Sequence, residues 1–461
     1  QPMTLADSPI RHPDTASRPL MTRRGWWLVG MNILIPGSAQ VLAGDRRLGR
    51  FGLGATLALW TVIAAAVVTW FAAPAVVYTV ASNSVALWII ALGLVFYAVL
   101  WLVLTLDTLR LVRLVRTQPS ARGWIAGLAT VVLVLASGGA AYGAFLATTA
   151  SGFLSTVFAA GPSEPPVDGR YNILLLGADT GPDREGTRPD SMTVASIDAQ
   201  TGQAVLIGLP RNLEDIRFPS DSPLAAAYPN GYGTEQGCLV DVCLLNSIYT
   251  EVEQVTPELY PDAAAQASSP GIEAMRDAAE GVTGLTIQYY VVIDMQGFEA
   301  LIDALGGVEI TVEERLPIGG DENLQNVDGW VEAGTQRMNG YTALWYARSR
   351  YSATDYDRMQ RQRVLQEAIL RQFTPANVLT KFQGVAEAGA ETVRTDIPQS
   401  MLGYFTDLAG KTRQLPIQTV ELTPDAGIDP AYPDWELVHG LVRDAIATAT
   451  AEPTPPAPEA G

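Results

Sequence analysis

Residues 171–179 read Tyr-Asn-Ile-Leu-Leu-Leu-Gly-Ala-Asp, YNILLLGAD, a short apolar run that ends in Gly177 and Asp179. A run of this length bounded by turn residues is the pattern of a buried strand. Working outward, Ser191–Ile197 and Ala204–Leu209 read as further strands. The Thr201-Gly202 turn between them points to a hairpin. Residues 271–283 are helix-like, and Thr286–Asp294 (TIQYYVVID) is a strand. Gln296–Leu305 is a short amphipathic helix closed by Gly306-Gly307, and the strand Val308–Val312 follows. Asp355–Phe373 is the clearest helix. Strands alternating with helices make this half of the chain α/β. Upstream, Pro162, Pro165 and Pro166 mark a linker, placed at 148–170; downstream, 374–450 reads as an extension and the Pro/Ala/Glu-rich tail 451–461 as disordered.

The rest of the chain lives in another solvent. The 461 residues sum to a net charge of −18, yet mean hydropathy is +0.15. Residues 1–150 hold 11 Arg against 4 Asp, a net +7, and residues 151–461 carry a net −25. The acidic half disfavours a nucleic-acid partner, because it would repel the phosphate backbone. Runs 51–72, 85–106 and 123–146 carry no charge. Each is long enough to cross a hydrocarbon core of about 30 Å. A fourth run, 25–44, is interrupted by Pro36-Gly37 and has Arg23 and Arg24 before it and Arg46, Arg47 and Arg50 after it. With basic flanks inside, 25–44 is re-entrant, 1–24 is a cytoplasmic tail, and everything after about residue 147 is external. Four full spans with the N-terminus outside is the alternative. Trp26, Trp27, Trp60, Trp70, Trp88, Trp101 and Trp124 lie in this half, mostly near span ends, as interfacial anchoring requires. The module 25–147 reads as a multi-pass anchor.

Composition also narrows the chemistry. The chain has only two His, His12 and His439, and two Cys. That disfavours four-ligand zinc sites and Ser-His-Asp or Cys-His machinery. Cys238 and Cys243, in an external setting, are expected to close a local loop as a disulfide. Catalysis must then rest on Arg, Asp, Glu, hydroxyls or a bound ion. Arg348, Arg350, Arg358, Arg361, Arg363 and Arg371 crowd one stretch of the acidic half. At about 100° per residue, Arg358 falls at the centre of the apolar stripe of Leu365 and Ile369, flanked by Gln362 and Arg361. Arg363, Glu367 and Arg371 fall opposite, as a solvated salt-bridge ladder. A cation on a core-facing stripe needs a partner, either an internal carboxylate or an anionic ligand.

Three further features favour the ligand. The loop after Asp179 leads through Arg188 to Asp190, at the ends of adjacent strands. Arg211 follows another strand end, and Arg348-Ser-Arg350 alternates so that both guanidinium groups share a side. Guanidinium forks pair bidentately with phosphate oxygens. Two carboxylates nearby complete a hard-cation site.

At these residues the chain resembles the LytR–CpsA–Psr (LCP) family. The matching stretches are YNILLLGAD (171–179), TRPDSMTVASID (187–198), VLIGLPRNL (205–213), LLNSIY (244–249), YYVVIDMQGFEALIDALGGVEI (289–310) and AGTQRMNGYTALWYARSRYSATDYDRMQRQRVLQ (333–366). The resemblance implies an extracellular mixed sheet flanked by helices, a catalytic core at 171–373, behind an α-helical transmembrane module. It implies a membrane-anchored phosphotransferase that moves an anionic glycopolymer from undecaprenyl pyrophosphate to a peptidoglycan hydroxyl. Pyrophosphate-binding positions map onto Arg188, Arg211, Arg348, Arg350, Arg358 and Gln362, and Mg²⁺ (or Mn²⁺) positions onto Asp179 and Asp190. Of these, Arg188, Arg211, Arg348, Arg350 and Asp190 are expected to be catalytic. A simple pyrophosphatase and a membrane-tethered regulator that binds polyprenyl phosphates are the rival readings. Two departures stand out: many members have one N-terminal span, and many carry Asp where this chain has Asn212.

Overall fold

The computed structural model describes residues 10–159, 161–179, 188–234, 237–320, 324–349, 354–372 and 393–450. They form two compact units, Gln1–Gly152 and Phe153–Gly461.

In the first unit, α1 (Arg18–Leu34) opens with Pro19 in its first turn, where the missing N–H costs no hydrogen bond. Helix therefore begins inside the stretch 1–24 expected as a tail. α1 stops before Pro36-Gly37, and the short α2 (Ser38–Ala43) follows. Gly37 has φ +97°, and a Cβ there would come within 2.5 Å of the Leu53 nitrogen. A Cβ on Gly49 would come equally close to the Val41 nitrogen. Bare backbone at both points lets α2 lie against α3 (Arg46–Ala72). The segment 25–44 is thus helix, tight turn and short helix.

The uncharged stretch between the runs 51–72 and 85–106 carries α4 (Pro74–Ala81), opened by Pro74. α5 (Ser84–Val112) and α6 (Pro119–Val157) complete the unit's helices. Arg46–Ala72, Ser84–Arg116 and Pro119–Val157 are each long and apolar enough to cross a membrane. The expected spans lie inside them. α6 runs past residue 146 because residues 147–157 contain neither Pro nor charge, so the first part of the expected linker is helix. Polar side chains join these helices. Gln40 Nε2 donates to Leu104 O at 2.9 Å and Thr108 Oγ1 at 3.0 Å, and Asn32 Nδ2 donates to Thr105 Oγ1 at 3.2 Å. Such bonds hold apolar helices together where hydrophobic contrast with the surroundings is weak.

The second unit is built on one six-stranded mixed sheet. Its elements begin with β1 (Arg170–Asp179), β2 (Arg188–Asp198), β3 (Ala204–Gly208), α7 (Pro223–Ala227), α8 (Ser247–Gln254), α9 (Pro270–Thr283), β4 (Tyr289–Asp294), α10 (Met295–Leu305) and β5 (Val308–Val312). There follow β6 (Leu316–Gly319), β7 (Val327–Val331), β8 (Gly334–Met338), α11 (Gly340–Arg348), α12 (Asp355–Gln372), β9 (Val393–Thr395), α13 (Leu402–Thr412), β10 (Gln418–Glu421) and α14 (Trp435–Thr450). The strand order is β10-β3-β2-β1-β4-β9. β1 pairs parallel with β4 and antiparallel with β2, and the β2–β3 hairpin forms with Gly202 at φ +80°.

β1 is central, and its consecutive apolar residues serve both faces. Leu174, Leu176 and Ala178 enter a core with Ile248 of α8, Ile272 and Met275 of α9, and Val438 and Val442 of α14. Tyr171 and Ile173 face the other way, against Tyr289, Ile397 and Phe405 of α13. A second core joins α10, β5, α11 and α12 through Ile302, Ile310, Ala343, Tyr346 and Leu365.

Two boundaries differ from expectation. β9 and β10 belong to the central sheet, so the core expected to close at residue 373 takes two of its strands from 393–450, within the expected C-terminal extension of the same domain. Both strands are too short to announce themselves in sequence. The later part of the linker is also tied down: Ala159 exchanges backbone bonds with Ile397 and Gln399, and Glu164 N–H donates to Tyr289 Oη at 2.8 Å. Cys238 and Cys243 form a disulfide. The tail 451–461 lies outside the described residues.

Candidate functional site

Beyond Tyr171 and Ile173, the same face of β1 opens into a cavity of about 760 Å³. Val291 and Ile293 of β4, Phe298 of α10, Leu344 of α11, and Leu365 and Ile369 of α12 line it. Its polar end lies at the C-terminal ends of β1 and β4, where Ala178 pairs with Asp294. In open α/β sheets that edge is where ligands bind.

A β-bulge places the first carboxylate. Gly177 pairs with Ser191 and Ala178 with Pro189, leaving Asp190 as the extra residue on β2. A bulge breaks the in–out alternation and re-aims a side chain. Consecutive residues Asp190 and Ser191 both line the cavity as a result. Asp190 Oδ1 accepts from Arg211 Nη1 at 3.1 Å, with both side chains about a quarter exposed. Arg211 is held just past β3 by the Leu209 N–H to Met192 O bond of 2.9 Å, and its own carbonyl accepts from Asn246 N–H at 3.2 Å. Beside it, Asn212 Oδ1 is buried with no hydrogen-bond partner among the described residues. A carboxylate there would bury an uncompensated charge, a physical reason for the Asn at this position.

Arg348, the last residue of α11, lines the cavity with its guanidinium 5.4 Å from the Trp345 ring centre. This cation–π contact steers the arginine. Glu299 of α10 is nearby: burial lifts its carboxyl above the usual range, Asp303 adds to this, and Arg348 offsets part of it. On α12, Arg358 is 3% exposed and lines the cavity together with Gln362, Leu365 and Ile369. One helix face thus passes from cationic to apolar. Asp294 also lines the cavity while capping α10, its Oδ1 accepting from Gly297 N–H at 2.6 Å.

The structure therefore gathers Asp190, Arg348, Arg358 and Gln362 on one cavity, with Arg211 joined through Asp190. Asp179 and Arg188 pair across the ends of β1 and β2, and their side chains lie outside the described residues. Arg350 lies wholly outside them. Gln362 lines the cavity, and its Nε2 donates to Ala347 O at 3.4 Å. Arg363 is corrected outright. Its side chain is 11% exposed and pairs with Glu421 of β10, whereas Arg371 and Glu367 do form an exposed pair at 2.8 Å. Helical periodicity could not reveal a strand from the far end of the chain. The residues missed were Trp345 and Ser349. Only Trp345, one turn before Arg348, left a trace in sequence.

Asp179 and Asp190 sit at neighbouring strand ends, and among the described residues no group of three or more His, Cys, Asp or Glu could hold a metal.

The sequence profile of the LytR_cpsA_psr family matches residues 154–433, well over half of the chain. The chain belongs to the LytR–CpsA–Psr family. Among relatives, the cell wall biosynthesis protein LcpA of Corynebacterium glutamicum is 26% identical over 324 residues, covering 64% of this chain and 58% of LcpA. The polyisoprenyl-teichoic acid–peptidoglycan teichoic acid transferase TagU of Halalkalibacterium halodurans is 26% identical over 231 residues, 49% of this chain and 61% of TagU. The regulatory protein MsrR of Staphylococcus aureus is 27% identical over 236 residues, 50% of this chain and 58% of MsrR. The chain thus spans 58% to 61% of the length of these three LCP proteins. Among solved structures, TagV of B. subtilis is similar at 19% identity with a TM-score of 0.43, over 62% of this chain and 100% of that one.

Proposed function

We propose that the protein is a membrane-anchored phosphotransferase that moves an anionic glycopolymer from undecaprenyl pyrophosphate to peptidoglycan. One observation carries this reading: a single cavity joins apolar walls to an end bearing Arg348, Arg358 and the Asp190–Arg211 pair. That is the complement of a molecule with a long hydrocarbon at one end and a pyrophosphate at the other. LcpA and TagU, named for cell wall biosynthesis and teichoic acid transfer, support the same class of substrate. The apolar helices of the first unit are consistent with a multi-pass anchor and an extracellular catalytic domain.

In the proposed reaction an acceptor sugar hydroxyl attacks the phosphorus that carries the glycopolymer. A new P–O bond to the acceptor forms, the P–O bond to polyprenyl phosphate breaks, and polyprenyl phosphate leaves. Arg188, Arg211, Arg348, Arg350 and Arg358 stabilise charge gathering on the phosphoryl oxygens; fixed cations aimed at developing charge are the main source of such catalysis. Asp179 or Asp190 accepts the hydroxyl proton. A divalent cation, Mg²⁺ or Mn²⁺, held by Asp179 and Asp190 would supply further neutralisation of phosphate charge.

Replacing Arg348 and Arg350 together by Ala tests the reading in cells. Polymer covalently attached to purified walls should fall to background while the protein stays at normal abundance in the membrane. Full attachment by the double variant would point instead to a regulator that binds polyprenyl phosphates.

A further inference from the structure

Unlike Arg348 and Arg358, Arg361 is not among the residues lining the cavity. It reaches back from α12 to the end of α11. Its Nε donates to Tyr346 O at 3.0 Å and its Nη2 donates to Ser349 O. The neighbouring Gln362 Nε2 donates to Ala347 O, so three carbonyls around Arg348 are covered by two consecutive residues of α12.

These carbonyls matter because of where α11 points. The last carbonyls of a helix have no partner within it, and together they carry about half a negative charge. α11 ends at Arg348, which lines the cavity, so its negative terminus lies at the end where Arg358 and Asp190 also converge. An anionic ligand bound there would meet that terminus. A guanidinium can bridge two carbonyls at once in a fixed plane, which an ammonium cannot.

We infer that Arg361 is a positioning residue for the anion-binding end of the cavity, holding Arg348 in place and shielding the ligand from the negative terminus of α11. The inference rests on the proposed binding of a polyprenyl pyrophosphate. Arg361 touches neither ligand nor reacting atoms. It acts through the backbone of Tyr346–Ser349.

The test uses the full chain in detergent, with farnesyl pyrophosphate and farnesol as paired probes in calorimetric titrations. Loss of positioning should weaken the pyrophosphate selectively, whereas general damage to the cavity would weaken both. For Arg361→Gln the affinity for farnesyl pyrophosphate should fall roughly tenfold or more, the equivalent of one charge-assisted hydrogen bond. Farnesol binding should stay within about twofold of wild type, well under the 1.4 kcal/mol that a tenfold change represents. Arg361→Lys, which restores the charge with a single donor group, should recover part of the loss. Normal farnesyl pyrophosphate binding by Arg361→Gln, or equal loss of both probes in Arg361→Gln and Arg361→Lys, would overturn the inference. Arg348→Ala separates the two levels. If it loses the pyrophosphate while Arg361→Gln does not, only the role of Arg361 fails. If it too binds like wild type, the pyrophosphate reading of the cavity fails and the inference falls with it.

Discussion

Asp190 is the unpaired residue of a β-bulge, and that one extra residue decides whether a carboxylate faces the cavity or the opposite core. Arg211 then holds it from outside the cavity, and Arg348 and Arg358 approach from two helices. Arg358 is the most deeply placed of these, at 3% exposure. Arg358→Met keeps most of the side-chain volume and removes the charge. Turnover of a polyprenyl-pyrophosphate donor should drop roughly 100-fold or more, the scale of losing one preorganised charge stabiliser. A steady-state assay showing less than a tenfold change would remove Arg358 from the machinery.

At the scale of elements, α12 is fastened to two different neighbours by three consecutive residues near its middle. Arg361 and Gln362 fasten it to α11, and Arg363 fastens it to β10 through Glu421. Glu421→Gln should therefore lower stability by about 1–3 kcal/mol, as expected when a charged hydrogen-bonding group loses its partner. Glu367→Gln, which breaks the exposed pair with Arg371, should cost under about 0.5 kcal/mol. Chemical denaturation of the two variants side by side checks the order, and equal effects would contradict it.

On α9, burial pushes the Glu280 carboxyl from 4.5 up to about 7, although the Ile287 N–H and Arg276 pull it down. The native state therefore binds more protons than the unfolded state between those values. By linkage, this residue's contribution to stability declines as pH rises through that window. Glu280→Gln keeps an acceptor for the Ile287 N–H, so the variant should show a flatter stability profile from pH 4.5 to 7 and gain on wild type at pH 8. Parallel profiles would mean that Glu280 titrates normally.

For the whole molecule, legibility in sequence followed the range of the interactions. YNILLLGAD announced the central strand because burial on both faces is written into consecutive residues. Arg358 announced itself by sitting on an apolar helical stripe, and the structure places it in the cavity wall. What stayed hidden depends on distant partners. The bulge at Asp190 is a property of two strands in register, the Arg363–Glu421 pair joins residues far apart in sequence, and β9 is only three residues long. The net charge of −18 concealed a different division, a basic apolar module and an acidic α/β domain.

The central claim is group transfer at one cavity, and product analysis tests it most directly. The purified full chain would be given a labelled glycan on polyprenyl pyrophosphate, together with peptidoglycan fragments, and the products resolved by mass spectrometry. The account predicts a phosphodiester-linked glycan–peptidoglycan adduct and polyprenyl monophosphate in equal amounts, both lost in Arg348→Ala. Free phosphorylated glycan without any adduct would instead identify a pyrophosphatase and contradict the transferase.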